Sequence, residues 1–124
     1  MKFKIICTGW NCETYIKKCI QSVINQTYQN FHLHLINDGS TDGTGVTLDK
    51  YTGHPKITVY NHSENKGAAL RRMEVIRPLN DDSVWLLLGM DDELLAGCLE
   101  CVKKEYDNGK VMTYGNWKDQ QGGM

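Results

Sequence analysis

Strand patterns and helical periodicities alternate along nearly the whole chain, and this restricts the fold more than any other feature. Residues 2–8, KFKIICT, read as a buried strand. Apolar residues then fall at Tyr15, Ile16, Cys19, Ile20, Val23 and Ile24, the three-and-four spacing of one helix face. That stripe predicts Ile16, Ile20, Val23 and Ile24 in the core, with Lys17, Lys18 and Gln21 facing solvent. Asn11 offers the N-cap for this helix. Residues 31–36, FHLHLI, alternate between turn residues and read as a second strand. A weak helix follows through Val46, Leu48 and Tyr51, then a strand over 56–61 and a helix over 67–77 that stops before Pro78. Residues 84–88, VWLLL, are continuously apolar, which predicts a strand buried on both faces. A helix from about Leu95 to Asp107 and a fifth strand over 110–115 complete the order. Such alternation predicts an α/β fold, Rossmann-like, with a mostly parallel sheet flanked by helices. With no repeat or linker, residues 1–124 read as one domain.

Composition narrows the function classes. Lys+Arg 14 against Asp+Glu 15 leaves a net charge of -1, which gives no broad attraction to nucleic acid or to anionic membrane. No apolar run approaches the roughly 20 residues that cross a bilayer. The N-terminal apolar stretch is too short for a signal-peptide core, so the chain is expected to be soluble and cytoplasmic. Five cysteines at irregular spacing fit a reducing compartment better than a disulfide framework. Cys98 and Cys101 form a CxxC without a second pair, and read as two small core residues on one helix face. His32 and His34 share a strand face and read as its less buried side rather than as metal ligands. No GxGxxG follows the first strand, so a dinucleotide-dependent dehydrogenase is excluded.

In open α/β sheets, ligands bind outside the C-terminal ends of the strands. Thr8 to Asn11 lie at the first such end, Asn37 to Asp42 at the second, and Asp91 and Asp92 after the apolar strand. Asn65, Gly67, Arg71 and Arg72 open the third helix. Together these groups suit a nucleoside diphosphate. Asp38 can accept a hydrogen bond from a base or ribose, and Gly39 and Gly67 permit tight turns or a close backbone approach. Asp91 and Asp92 can hold a hard divalent cation that neutralises the diphosphate. Arg71 or Arg72 can pair with phosphate. As a turn residue at a strand end, Asp38 is expected to matter for binding and not for folding. Each piece has a plainer reading as well, a strand-to-helix turn, a helix N-terminus or solvated arginines; it is their order along the chain that points to a site.

These residues resemble those of family 2 glycosyltransferases of the GT-A fold. Asn37-Asp38-Gly39-Ser40-Thr41-Asp42-Gly43-Thr44 is similar to the family's Asp-Asp-Gly-Ser-x-Asp-x-Thr. Thr8-Gly9-Trp10-Asn11 stands where the family has Pro-Thr-Tyr-Asn, and Ser22-Val23-Ile24-Asn25-Gln26-Thr27 resembles its Ser-Val-Leu-x-Gln-Thr. Asn65-Lys66-Gly67 with Arg72 resembles Asn-x-Gly-x-x-x-Ala-Arg, with Arg71 at the alanine position. Gly89-Met90-Asp91-Asp92 resembles the metal motif Asp-x-Asp-Asp, with Gly89 in place of its first aspartate. The resemblance implies transfer of a sugar, with inversion, from a nucleotide-sugar donor (UDP-sugar foremost) to an acceptor hydroxyl, using Mn²⁺ or Mg²⁺. It implies that Thr8, Asn11, Asp38, Gly39, Arg71, Arg72 and Asp91 contact the donor, and that Asp91 and Asp92 hold the metal. It also implies that the acceptor site and catalytic base belong to a second half of the domain, because none of Glu93, Glu100, Glu105, Asp107 and Asp119 matches a base motif. These 124 residues alone are therefore expected to bind donor and transfer sugar poorly. A nucleotide-sugar binding module without transfer activity is the alternative.

Overall fold

The computed structural model describes residues 2–78 and 83–108. The elements follow in the order β1 (Phe3–Gly9), α1 (Ile16–Ile24), β2 (Phe31–Asp38), α2 (Thr44–Asp49), β3 (Ile57–His62), α3 (Ala68–Ile76), β4 (Val84–Gly89) and α4 (Cys98–Asp107). The four strands form one sheet in the order β3-β2-β1-β4, and every pairing is parallel. The α/β expectation holds; the strand expected over 110–115 lies outside the described residues.

Strand pleating divides the core. Phe3, Ile5 and Cys7 point to one face, where Leu33 and Leu35 of β2 and Leu88 of β4 join them. Ile16, Cys19, Ile20 and Val23 of α1, Leu48 of α2 and Leu99 of α4 cover this face. The opposite face is smaller, with Ile6 and Ile36 packed beneath Val75 of α3. The helical stripe of α1 lies as its spacing predicts. Ile16, Ile20 and Val23 are fully buried, Ile24 packs at the margin of the core, and Lys17, Lys18 and Gln21 are exposed.

Three local expectations are corrected. First, α1 begins at Ile16, after a turn, and Asn11 does not cap it. Asn11 has φ 53 and directs its side chain across to the loop after β2. Second, β4 is not buried on both faces: Leu87 is 54% exposed. It pairs with Ile6, on the face where Trp85 of the same strand packs against the Ile6, Ile36 and Val75 cluster. Third, Cys101 is exposed and Cys98 half-buried, because the apolar stripe of α4 runs through Leu99 and Val102.

His32 and His34 do share a face, with ring centroids 4.8 Å apart, and both find partners on β3. His32 Nε2 lies 2.7 Å from Thr58 Oγ1, and His34 Nδ1 lies 3.0 Å from Tyr60 Oη. His34 is 5% exposed, and its Nε2 is buried with no hydrogen-bond partner among the described residues. Burial, with His32, Lys4 and Lys2 nearby, pushes its pKa down to about 4. The folded state therefore holds this ring neutral. Its contribution to stability is complete above about pH 6.5 and is lost as pH falls toward 4. We expect about 3 kcal/mol of stability to disappear over that window. His34→Gln, which cannot titrate, should remove that part of the slope in denaturant titrations at a series of pH values. An unchanged slope would mean that the ring is protonated in the fold.

Candidate functional site

The C-terminal ends of β1, β2 and β4 lie side by side, and the loops leaving them are tied together. Asn11 is the main tie. Its backbone N–H donates to Ser40 Oγ at 2.9 Å, and its Oδ1 accepts from the N–H of Thr41 at 2.8 Å and of Asp42 at 3.3 Å. The left-handed backbone of Asn11 is tolerated by this residue type, whose short polar side chain bonds locally. Asn37 anchors the same loop. Its Oδ1 accepts from Ser40 N–H at 3.1 Å, and its Nδ2 donates to Asn61 Oδ1 at 2.7 Å. A carboxylate at position 37 has no hydrogen for that second bond. Thr8 is 4% exposed; it sits within the ladder between Ile36 and Gly89, and its carbonyl accepts from Met90 N–H at 3.0 Å.

Asp38 is the most enclosed charge of the site, at 4% exposure. Its Oδ1 accepts from Lys66 N–H at 2.8 Å and from Arg71 Nε at 3.0 Å, and its Oδ2 accepts from Gly67 N–H at 2.8 Å. Burial alone raises its pKa, but these three donors outweigh burial and hold it below the usual carboxylate range. Arg71 is equally enclosed, at 4% exposure, and its Nη2 and Nη1 each donate once, to Glu64 O at 2.7 Å and Glu74 Oε1 at 3.0 Å. Two expectations change here. Arg71 gives one N–H of each guanidinium nitrogen to a protein acceptor, and Asp38 belongs to the packing of the fold as well as to the expected site. Neither was visible locally, because the partners of Asp38 stand 28 to 33 residues further along the chain. Arg72 is half-buried, and its Nε is buried with no hydrogen-bond partner among the described residues. Gly39, at φ 71, crosses directly under the Glu64–Asn65 backbone.

Asp91 and Asp92 are exposed in the turn that leaves β4. A Cβ placed on Gly89 would lie 2.8 Å from Asp91 Oδ1 and 2.9 Å from Asp92 Oδ2, so both carboxylates converge on the space beside this glycine. Partial burial and then the Asp91 charge raise the pKa of Asp92. Two converging hard oxygen donors suit a cation whose other ligands are phosphate oxygens and water. Among the described residues no group of three or more His, Cys, Asp or Glu side chains forms a complete cage. Asp91 also borders a cleft of about 280 Å³ with Thr14, Tyr15, Lys18 and Glu93.

Ser22 and Gln26 fix this turn from below. The sequence motif contains both but does not reveal their part. Ser22 Oγ accepts from Leu94 N–H at 3.0 Å. Gln26 is 2% exposed; its Nε2 donates to Leu95 O at 3.0 Å and its Oε1 accepts from Leu99 N–H at 3.1 Å. The available signal was two polar residues four apart at the end of an otherwise apolar helix stripe.

A parallel sheet whose strand ends carry an enclosed aspartate and a carboxylate pair is an open α/β sheet of the kind that binds ligands at its strand ends. The profile of Glycosyl transferase family 2 matches residues 5–123, and the chain belongs to that family. The teichoic acid poly(glycerol phosphate) polymerase of Staphylococcus epidermidis is 30% identical over 109 residues, 86% of this chain and 15% of the relative. The chondroitin synthase of Pasteurella multocida is 36% identical over 106 residues, 85% of this chain and 11% of the relative. The fold is that of S. aureus TarS 1-349 in complex with UDP-GlcNAc, with a TM-score of 0.76 at 24% identity, covering 87% of this chain and 32% of TarS. A mannosyltransferase from Pyrobaculum calidifontis, in complex with GDP-Man and Mn²⁺, aligns with a TM-score of 0.67 at 19% identity, over 77% of this chain and 29% of its own. The chain thus spans less than a fifth of these curated relatives and about a third of the solved structures. Among the described residues no helix is long and apolar enough to cross a membrane.

Proposed function

We propose that this chain binds a nucleotide-sugar donor, UDP-linked foremost, and serves in transfer of the sugar to an acceptor hydroxyl with inversion. The observation that supports the reading is the convergence of Asp91 and Asp92 at the end of β4, in the same sheet whose β2 ends at Asp38. In this reading Asp38 meets the base, Arg72 the base or diphosphate, and Asn11 and Gly39 shape the loop against the nucleoside. Thr8 contributes through its backbone. Asp91 and Asp92 hold Mn²⁺ or Mg²⁺, which supplies neutralising charge for the departing diphosphate. When the bond from the anomeric carbon to the diphosphate oxygen breaks, Arg72 stands to share the charge that develops on the leaving group. Residues 1–124 are read as the donor-binding part of a GT-A domain, which accords with the third of TarS that they match. The acceptor, whether glycan, lipid or protein, is left open. A reducing, cytoplasmic setting is part of the reading, on the irregular spacing of the five cysteines.

Calorimetric titration with UDP tests the reading. Affinity should be at least about tenfold higher with Mn²⁺ or Mg²⁺ than with EDTA, since the carboxylate pair otherwise repels the diphosphate. Asp91→Asn with Asp92→Asn should erase the difference. Equal affinity with metal and with EDTA in the unaltered chain would remove the metal from the reading, and no binding at all would remove the donor.

A further inference from the structure

We propose that Arg71 is the positioning residue for nucleobase selection: it presets the Asp38 carboxylate so that a single acceptor direction is left for the base. The inference rests on the donor-site reading above. A carboxylate offers about four acceptor directions. Three are engaged here, by Lys66 N–H, Gly67 N–H and Arg71 Nε. Among the described residues, the direction that remains belongs to Oδ2, which carries only the Gly67 bond.

Arg71 fixes more than one oxygen. Its Nη2 holds Glu64 O at 2.7 Å, and its Nη1 holds Glu74 Oε1 at 3.0 Å. One guanidinium therefore joins the end of β2, the loop 64–67 and the body of α3. The planar fork makes these bonds in fixed relative directions, which a lysine ammonium cannot reproduce. With Arg71 in place the carboxylate can neither rotate nor withdraw, and the loop that supplies its two amide donors stays closed on it. A single, directed acceptor selects for a ring N–H. Uracil presents N3–H, whereas cytosine presents a bare N3 that would face the carboxylate with a lone pair. Selection therefore depends on the angle at which Asp38 is held, and Arg71 sets that angle without touching the ligand.

The test compares UDP with CDP as probes, by calorimetry in saturating Mg²⁺, for the unaltered chain, Arg71→Ala and Arg71→Lys. The unaltered chain should prefer UDP. Arg71→Ala should reduce that preference about tenfold, as expected when a directed hydrogen bond to a charged group is lost. Arg71→Lys, which keeps the charge beside Asp38 but not the fork, should lie between the two. A residue that only stabilises the fold would lower the melting temperature and weaken both nucleotides equally, leaving the ratio unmoved. If Arg71→Ala does not fold, Arg71→Lys decides by the same ratio. An unchanged UDP-to-CDP ratio in the folded variants overturns the proposal and leaves the donor-site reading standing. No nucleotide binding by the unaltered chain overturns both.

Discussion

Asp38→Ala should lower the melting temperature by roughly 10 °C and weaken UDP binding at least about tenfold, measured by thermal unfolding and calorimetry. The stability effect follows from what the substitution strands. Arg71 is 4% exposed, and Asp38 is its partner at 3.0 Å. Removing Asp38 leaves the enclosed Arg71 charge with only the half-exposed Glu74 carboxylate as counter-charge, which is costlier than never having built the pair. The amides of Lys66 and Gly67 lose their acceptor in the same step. Asp38→Asn separates the two roles, because it keeps an oxygen for the amides while removing the charge. It should recover part of the stability and little of the binding. The pH window also identifies the residue. Asp38 is held below the usual carboxylate range, so its contribution is complete above about pH 4 and is lost as pH falls through its depressed value. His34 acts in the window above, between about 4 and 6.5. A variant of Asp38 that melts like the unaltered chain would show that Arg71 has other support.

The parts legible in the sequence are those with a short-range period. The stripe from Ile16 to Val23 repeats every three or four residues and can bury only one face, so its register followed directly. The apolar strands alternating with helices left few arrangements other than a parallel sheet. Asp38, Asp91 and Asp92 could be placed near one another because strand ends in such a sheet share an edge. The illegible parts depend on contacts between distant residues. Arg71 and Arg72 are adjacent and chemically alike, yet α3 turns one toward Asp38 and leaves the other with an Nε unpartnered among the described residues. That difference is a matter of about 100° of helix rotation relative to a loop whose path is not locally encoded. Asn11 shows the same limit. Its residue type suits a helix cap, and only the arrival of Thr41 and Asp42 from across the site makes it a loop clasp instead. Leu87 reads as core because it is apolar, and its 54% exposure is set by packing that no local pattern encodes.

Gly39→Ala should be as damaging as the loss of Asp38, although it adds a single methyl group. At φ 71 an alanine is strained to begin with, by about 1–2 kcal/mol. The larger effect is steric. The new Cβ would fall on the Glu64 carbonyl carbon and lie 2.5 Å from Asn65 N. Both are backbone atoms, so no side chain can swing aside. The loop 64–67 must move, and it carries the two amides that hold Asp38 and the carbonyl that holds Arg71 Nη2. One methyl group thereby loosens every donor on Asp38. Gly53→Ala is the matched control, since Gly53 has φ 91 and open space where its Cβ would stand. It should show the strain alone, a fall of a few degrees with UDP affinity intact. Gly39→Ala should melt well below Gly53→Ala, lose UDP binding by about tenfold or more, and expose the amides of Lys66 and Gly67 to faster hydrogen exchange. Equal melting temperatures for the two variants, with UDP binding retained in both, would mean that the loop yields without releasing Asp38, and that its enclosure does not depend on the close crossing at Gly39.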